Sequence, residues 1–295
     1  MAHALIPPDV LSRLKNLRLA AARSTGAGGI GQHASHTRGA GLEFVQYRGY
    51  EPGDALRQVD WKLYARSDRF FVREAERESP LTLWLLVDGS ASMAQSDRAR
   101  PEWSRLDGAR LIAACIAEIA LRQGDRVGLV GLHATGLRML PPRAGTRAHN
   151  GLWLALQALE CGGHFPARAR LAPLWERTRA GDLVILIGDL FDEAAVALAE
   201  RLAAAGREVR TIQLLTAEER DFPFDGSFLF HDAETGAEIQ GDARAMRDGY
   251  LERFSAALRA LDARLDAAGI ARARGALDEP PDRVLHRILA PGAPA

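Results

Sequence analysis

With 295 residues, 47% of them hydrophobic, the chain can bury a sizeable core and is long enough for one large α/β domain or for a domain with an appendage. Its 38 basic and 38 acidic side chains cancel, which excludes a global field that would draw it onto nucleic acid or an anionic membrane surface. Two cysteines, Cys115 and Cys161, point to neither a disulfide framework nor a paired zinc motif, and no run approaches the ~20 apolar residues of a membrane span, so a cytoplasmic protein is expected.

After Pro7-Pro8, apolar residues at Val10, Leu11, Leu14 and Leu17 predict an amphipathic helix over 9–23, followed by a loop over 24–40 rich in Gly, Ser, Thr and His. Residues 42–78 alternate short extended pieces, at 43–47 and 69–73, with the turn Glu51-Pro52-Gly53-Asp54, and predict a small β-rich appendage. The nearly unbroken apolar run 81–87 ends at Asp88 and reads as a strand buried on both faces of a parallel sheet. Beyond it, helices are predicted at 105–122, 150–159, 193–204 and 242–267, and strands at 126–132, 137–140, 183–187 and 208–215. This alternation predicts an α/β fold, a doubly wound and mostly parallel sheet over 80–270, preceded by the helix and appendage in 1–79 and followed by a Pro- and Ala-containing tail in 271–295. Such sheets place ligand sites at the carboxyl ends of their strands.

Two predicted strands end in acidic residues: one runs into Asp88-Gly89-Ser90-Ala91-Ser92, the other into Gly188-Asp189-Leu190-Phe191-Asp192. Asp, Ser and Ser at alternate positions offer one carboxylate and two hydroxyls, and Gly89 permits the tight turn that lets them converge. These hard oxygen ligands suit magnesium or manganese, which keep waters or accept an outside carboxylate, and suit zinc poorly. The structural alternatives are that Ser90 or Ser92 only caps the following helix, and that Asp189 is a solvated turn residue.

Following an apolar strand, Asp88-Gly89-Ser90-Ala91-Ser92 resembles the metal-ion-dependent adhesion site of von Willebrand factor A domains, which implies a Rossmann-like sheet of that type. The resemblance implies that Asp189 is the second-loop carboxylate, with Asp192 as its neighbour. For the family's threonine it points to Thr146, in Ala144-Gly145-Thr146, although capping of the helix that begins there explains this residue equally well. A second resemblance covers about 33–78: Gly39-Ala40-Gly41-Leu42-Glu43-Phe44, Arg48-Gly49-Tyr50-Glu51-Pro52-Gly53-Asp54, Arg57, Asp60-Trp61-Lys62 and Ala65-Arg66 are similar to the bacterial family called domain of unknown function 58. Ala55 stands where members carry a second acidic residue. The resemblance implies a MoxR-type AAA+ ATPase as partner, in chaperone-like activation or assembly of other proteins. Many relatives carry N-terminal membrane helices that are not seen here, which implies a soluble member.

Arg48, Arg57 and Arg66 alternating with Glu43, Asp54 and Asp60 predict an internal salt-bridge network with Trp61 packed beneath it, in preference to a docking face. Phe222, Phe224, Phe228 and Phe230 around Asp225-Gly226 predict a hairpin packed on the core. Gly26 to Gly31 fits G-x-G-x-x-G by letter but follows a helix, and no Walker A sequence occurs. Around Ser90 both glycines of a nucleophile elbow are missing, and a dehalogenase-type phosphatase needs an Asp where Ser90 stands. The histidines form no metal-binding pair. The expected function is therefore a non-enzymatic, metal-dependent adaptor, in which Asp88, Ser90, Ser92, Asp189 and Thr146 hold Mg2+, or Mn2+, and an acidic side chain of a partner completes the shell. The competing readings are a metal-assisted hydrolase using water near Asp192, and a scaffold whose metal site is vestigial.

Overall fold

The computed structural model describes residues 5–20, 44–51, 59–75, 80–231 and 236–289. Two units form: residues 1–24 with 81–295, and residues 25–80. The predicted grouping of 1–79 is corrected accordingly, because helix α1 (Pro8–Arg13) buries Val10, and the turn after it buries Leu14, in the core of the larger unit. Pro8 opens that helix at a position where a missing N–H costs nothing. It is shorter than the predicted 9–23 because tertiary partners claim the backbone beyond it. Leu19 donates its N–H to Gln123 Oε1 at 2.7 Å and accepts from Gln123 Nε2 at 3.0 Å.

In the smaller unit β1 (Phe44–Gly49) pairs antiparallel with β2 (Phe71–Ala75), and α2 (Trp61–Ser67) lies between them in sequence. The helix was not predicted, and its start is set by Asp60, whose carboxylate accepts from Lys62 N and Leu63 N at 2.9 and 3.1 Å. Asp60 is thus a helix cap. Trp61, in the first helical position, is 56% exposed, and its ring meets Tyr64 and Phe70 edge-on. Glu43, Asp54 and Arg57, the turn residues 52–54 and the predicted loop 24–40 lie outside the described residues.

The larger unit follows the predicted alternation. In chain order come β3 (Thr82–Asp88), α3 (Arg105–Arg122), β4 (Arg126–His133), β5 (Gly136–Arg143), α4 (Thr146–Gln157), α5 (Ala172–Arg177), β6 (Leu183–Gly188) and α6 (Glu193–Ala204). They are followed by β7 (Glu208–Leu215), α7 (Ala217–Asp221), β8 (Ser227–His231), β9 (Glu238–Asp242), α8 (Ala243–Ala267), β10 (Ala271–Ala276) and α9 (Pro281–Leu289). Six strands form one sheet in the order β10-β7-β6-β3-β4-β5, parallel throughout except for β5 against β4.

The period-2 alternation of a strand sorts its side chains to two cores. Leu83, Leu85 and Val87 of β3 join Leu183, Ile185 and Ile187 of β6 under α3, α4 and α9, whereas Trp84 and Leu86 join Val184 and Leu186 under α5 and α6. Both strands are covered on both faces, which is why they read as continuous apolar runs.

The predicted tail over 271–295 is corrected, since β10 extends the sheet in parallel register with β7, from Ala271↔Arg210 to Ala276↔Leu215. Val284, Leu285, Ile288 and Leu289 of α9 are buried, and Arg210 reaches from β7 to donate to the Ile288 carbonyl at 2.7 Å. The hairpin predicted around Asp225-Gly226 is corrected: β8, which carries Phe228 and Phe230, pairs with β9 further on, whereas Phe222 ends α7 and faces Tyr250 of α8 with ring centroids 4.5 Å apart. Among the described residues no helix is long and apolar enough to cross a membrane.

Candidate metal centre

β3 and β6 are neighbours at the middle of the sheet, and the chain leaves them in opposite directions, toward β4 on one side and β7 on the other. At such a switch point the connections diverge and open a crevice at the carboxyl ends of the strands. Asp88 ends β3 and Gly188 ends β6, so both acidic loops predicted from the sequence border that crevice.

The loop after β3 is fixed by its backbone. Gly89 N donates to the Leu132 carbonyl at 2.8 Å, Ala91 N to Gly163 O at 2.8 Å, and Gly162 N to Gly89 O at 2.9 Å. Gly89 has no room for a side chain, because a Cβ there would stand 2.9 Å from Leu132 O and 3.0 Å from Glu160 O. Asp88 Oδ1 accepts from Ser90 N at 2.8 Å, which curls the loop so that the Ser90 and Ser92 hydroxyls come within 3.0 Å of each other. Asp88 and Ser90 are 2% and 1% exposed. Ser90 stands at the start of a short 3-10 turn, Ala91–Ala94, yet makes no side-chain capping bond, so capping does not account for it.

Adjacent ligands of an octahedral magnesium, each about 2.1 Å from the ion, lie ~3 Å apart, which is the spacing of the two hydroxyls. The two hydroxyl oxygens are therefore spaced as neighbouring ligands of a hard divalent cation, with the buried Asp88 carboxylate in the same loop. Among the described residues no three His, Cys, Asp or Glu side chains gather in a metal-binding group, so a centre here is one of hydroxyls around a single carboxylate.

The other predicted ligands are placed differently. Asp189 is 2% exposed and engaged by Arg105, whose Nη1 lies 2.7 Å from its Oδ2; its Oδ1 accepts from Phe191 N at 3.1 Å. Asp192 caps α6, accepting from Ala194 N at 2.7 Å. Thr146 is exposed at the first position of α4 and is not brought to the crevice. β5 runs antiparallel, so its end at Arg143 pairs with Val127 near the start of β4, while Asp88 pairs with Leu132 near that strand's end. Capping does not account for Thr146 either, since Gly145 is the N-cap of α4 and no side chain makes a capping bond there.

The model of the family described as "Protein of unknown function DUF58" matches residues 46–260. The chain belongs to this family. It is 29% identical over 259 residues to uncharacterized proteins of Mycobacterium tuberculosis and Mycobacterium bovis, a stretch that covers 86% of this chain and 80% of theirs. Among solved structures it is similar to the conserved hypothetical protein BatB from Bacteroides thetaiotaomicron, with 18% identity, a TM-score of 0.43 and coverage of 70% of this chain and 96% of that one. It is also similar to the SpRpn10 VWA domain, with 13% identity, a TM-score of 0.39 and coverage of 74% and 100%. The central sheet, parallel except for one antiparallel edge strand and covered by helices on both faces, has the doubly wound α/β architecture expected from the sequence.

In this DUF58 chain the site holds residues that the sequence reading missed. Arg105, 0% exposed, comes from the first turn of α3, whose start is set by a Ser104–Asp107 capping box. Gln213 on β7 donates Nε2 to the Asp189 carbonyl oxygen at 2.8 Å. Beside the Asp88 loop, a cavity of about 150 Å³ is lined by Asp88, His133, Thr135, Arg138 and Glu160. His133 Nδ1 is held 2.9 Å from Thr135 Oγ1. No spacing in the sequence joins these residues, because β4, β5 and the loop after α4 converge only when the sheet forms.

Proposed function

We propose that this DUF58 protein is a non-enzymatic, metal-dependent protein-binding module of the cytoplasm, an adaptor for a MoxR-type AAA+ ATPase in the activation or assembly of other proteins. Asp88, Ser90 and Ser92 would hold Mg2+, with Mn2+ as the other candidate, and the bound ion would supply an open coordination position for an acidic side chain of the partner. The observation that carries this reading is the pair of hydroxyls 3.0 Å apart beside one buried carboxylate at the switch point of the sheet. Three protein oxygens leave positions to fill, and a hard cation fills them with water or with another carboxylate.

One observation favours a second reading, a scaffold that docks without metal: the carboxylate expected to support the ion is already paired with a protein cation, Arg105. A pull-down separates the two. The native chain and Asp88→Ala are offered to a MoxR-type ATPase, with magnesium and with chelator. Metal-bridged docking predicts capture by the native chain in magnesium only. Equal capture in every lane would overturn it in favour of the scaffold.

A further inference from the structure

Arg105 is the one arginine with no exposed surface in the described core, and its guanidinium joins segments that meet nowhere else in the sequence. Nη1 contacts Asp189 Oδ2 at 2.7 Å and the Ser92 carbonyl at 3.1 Å. Nη2 contacts Glu219 Oε1 at 2.6 Å and Gln95 Oε1 at 3.3 Å. The edge of the ligand loop, the loop after β6 and helix α7 are thereby tied to the start of α3. Nε is buried without a hydrogen-bond partner, so this placement is not one that perfect solvation of the side chain would select. A buried ion pair of this kind is weak evidence for a role in stability alone, because apolar residues fill such space as well or better.

From this geometry we infer that Arg105 is an internal cation that withholds Asp189 from the metal centre, so that the Asp88 loop offers a divalent ion a single protein carboxylate and takes the second from its partner. The inference rests on the metal reading above and concerns how strongly the site holds its ion when no partner is present. Each oxygen of Asp189 already accepts a bond, Oδ2 from the guanidinium and Oδ1 from Phe191 N, and its backbone carbonyl is held by Gln213. The carboxylate is therefore turned to a fixed cation. That same guanidinium nitrogen lies within hydrogen-bond reach of the Ser92 backbone, one residue's length from a proposed ligand oxygen. A positive charge so close opposes a second cation, and in a buried setting water screens it little. With one carboxylate and two neutral hydroxyls, the loop binds an ion weakly, and an incoming anionic side chain tightens it. Partner and metal then bind cooperatively, each raising the affinity for the other.

The test is calorimetric titration of the full chain with MgCl2 and with MnCl2, comparing native, Asp189→Asn, Arg105→Gln and the double variant, with a circular dichroism melt for each. Asn keeps the shape of Asp189 and can still accept from Phe191 N, but it leaves the Arg105 charge with one counter-charge fewer, so Asp189→Asn alone should if anything weaken the ion and the deciding comparison is made without Arg105. Arg105→Gln removes the charge and frees Asp189, and should tighten the ion by about tenfold or more. Adding Asp189→Asn should abolish that gain. A gain in Arg105→Gln that survives addition of Asp189→Asn would show that Asp189 is not what the arginine withholds, and would overturn the inference while leaving the metal reading intact. A folded Arg105→Gln with unchanged affinity would also overturn it. A native chain that binds no ion, beside an Arg105→Gln variant that does, would uphold the inference and sink metal-bridged docking for the native protein. If Arg105→Gln does not fold, Arg105→Met with and without Asp189→Asn makes the same comparison.

Discussion

A Cβ on Gly188 would stand 2.8 Å from the Cβ of Asp88 and 3.0 Å from its Oδ2, so the end of β6 leaves space for the ligand carboxylate only because residue 188 has no side chain. Gly188→Ala should push Asp88 from its position at a cost of about 1–3 kcal/mol, the range for overpacking a close-packed interior. Denaturant titration would measure the loss. Magnesium binding should fall with it, and a variant of native stability and native affinity would show that the contact relaxes freely.

Ligand linkage gives a second test. An ion that binds only the folded chain adds stability as its concentration rises, about 2.7 kcal/mol at one hundred times its dissociation constant, and each kcal/mol raises Tm by about 2–4 °C in a domain of this size. Magnesium should therefore raise the Tm of the native chain. The rise should vanish in Asp88→Ala and shrink in Ser90→Ala and Ser92→Ala. A rise that survives Asp88→Ala would place the ion elsewhere.

Asp97 gives a pH dependence. It is 3% exposed and accepts from Ala217 N at 2.7 Å; burial, with the nearby Glu218 and Asp278 carboxylates adding to it, pushes its carboxyl above the ordinary 3.8 despite that backbone bond. The folded state thus holds this proton more tightly than the unfolded state, so the contribution of Asp97 is favourable in acid and is lost as pH rises from 3.8 through the raised folded value. Asp97→Asn keeps the acceptor for Ala217 N without the charge. It should raise Tm at pH 7, with the gain fading below the unfolded carboxyl value. An equal gain at both ends of the pH range would remove ionisation as its cause.

The two thiols should differ in reactivity. Burial pushes Cys115 up to about 12, with Glu118 and Asp282 adding to the rise, and no part of it reaches the surface. Cys161 is also raised by burial but is only half-buried, and Arg110 opposes the shift. A maleimide reagent at pH 8 should label Cys161 slowly in the native chain and Cys115 only on unfolding, because the thiolate is the reacting form. Prompt labelling of Cys115, read by peptide mass, would mean that α3 opens locally.

Elements that bury both faces were legible in the sequence because a continuous apolar run is a local signal. β3 and β6 were predicted within a residue or two, and with them the strand-end acids Asp88 and Asp189. β10 gave no such signal. Its Ala-Arg alternation carries little apolar weight, and it becomes a strand because β7 offers an open edge with backbone groups to pair. Helix α2 was hidden in the same way, since the start set by Asp60 sits among residues that otherwise read as extended.

The sequence by itself determined the alternating α/β order and the Asp88, Ser90 and Ser92 set, whose members lie within five consecutive residues and need only one tight turn to meet. The tertiary structure decided the rest. Arg105 and Asp189 are 84 residues apart, so nothing but the side-by-side registry of β3 and β6, with α3 laid across them, brings that guanidinium to that carboxylate. Thr146 fell the other way: the antiparallel course of β5 carries it to the opposite end of the sheet, and strand direction is set by which neighbour a strand pairs with rather than by its own residues.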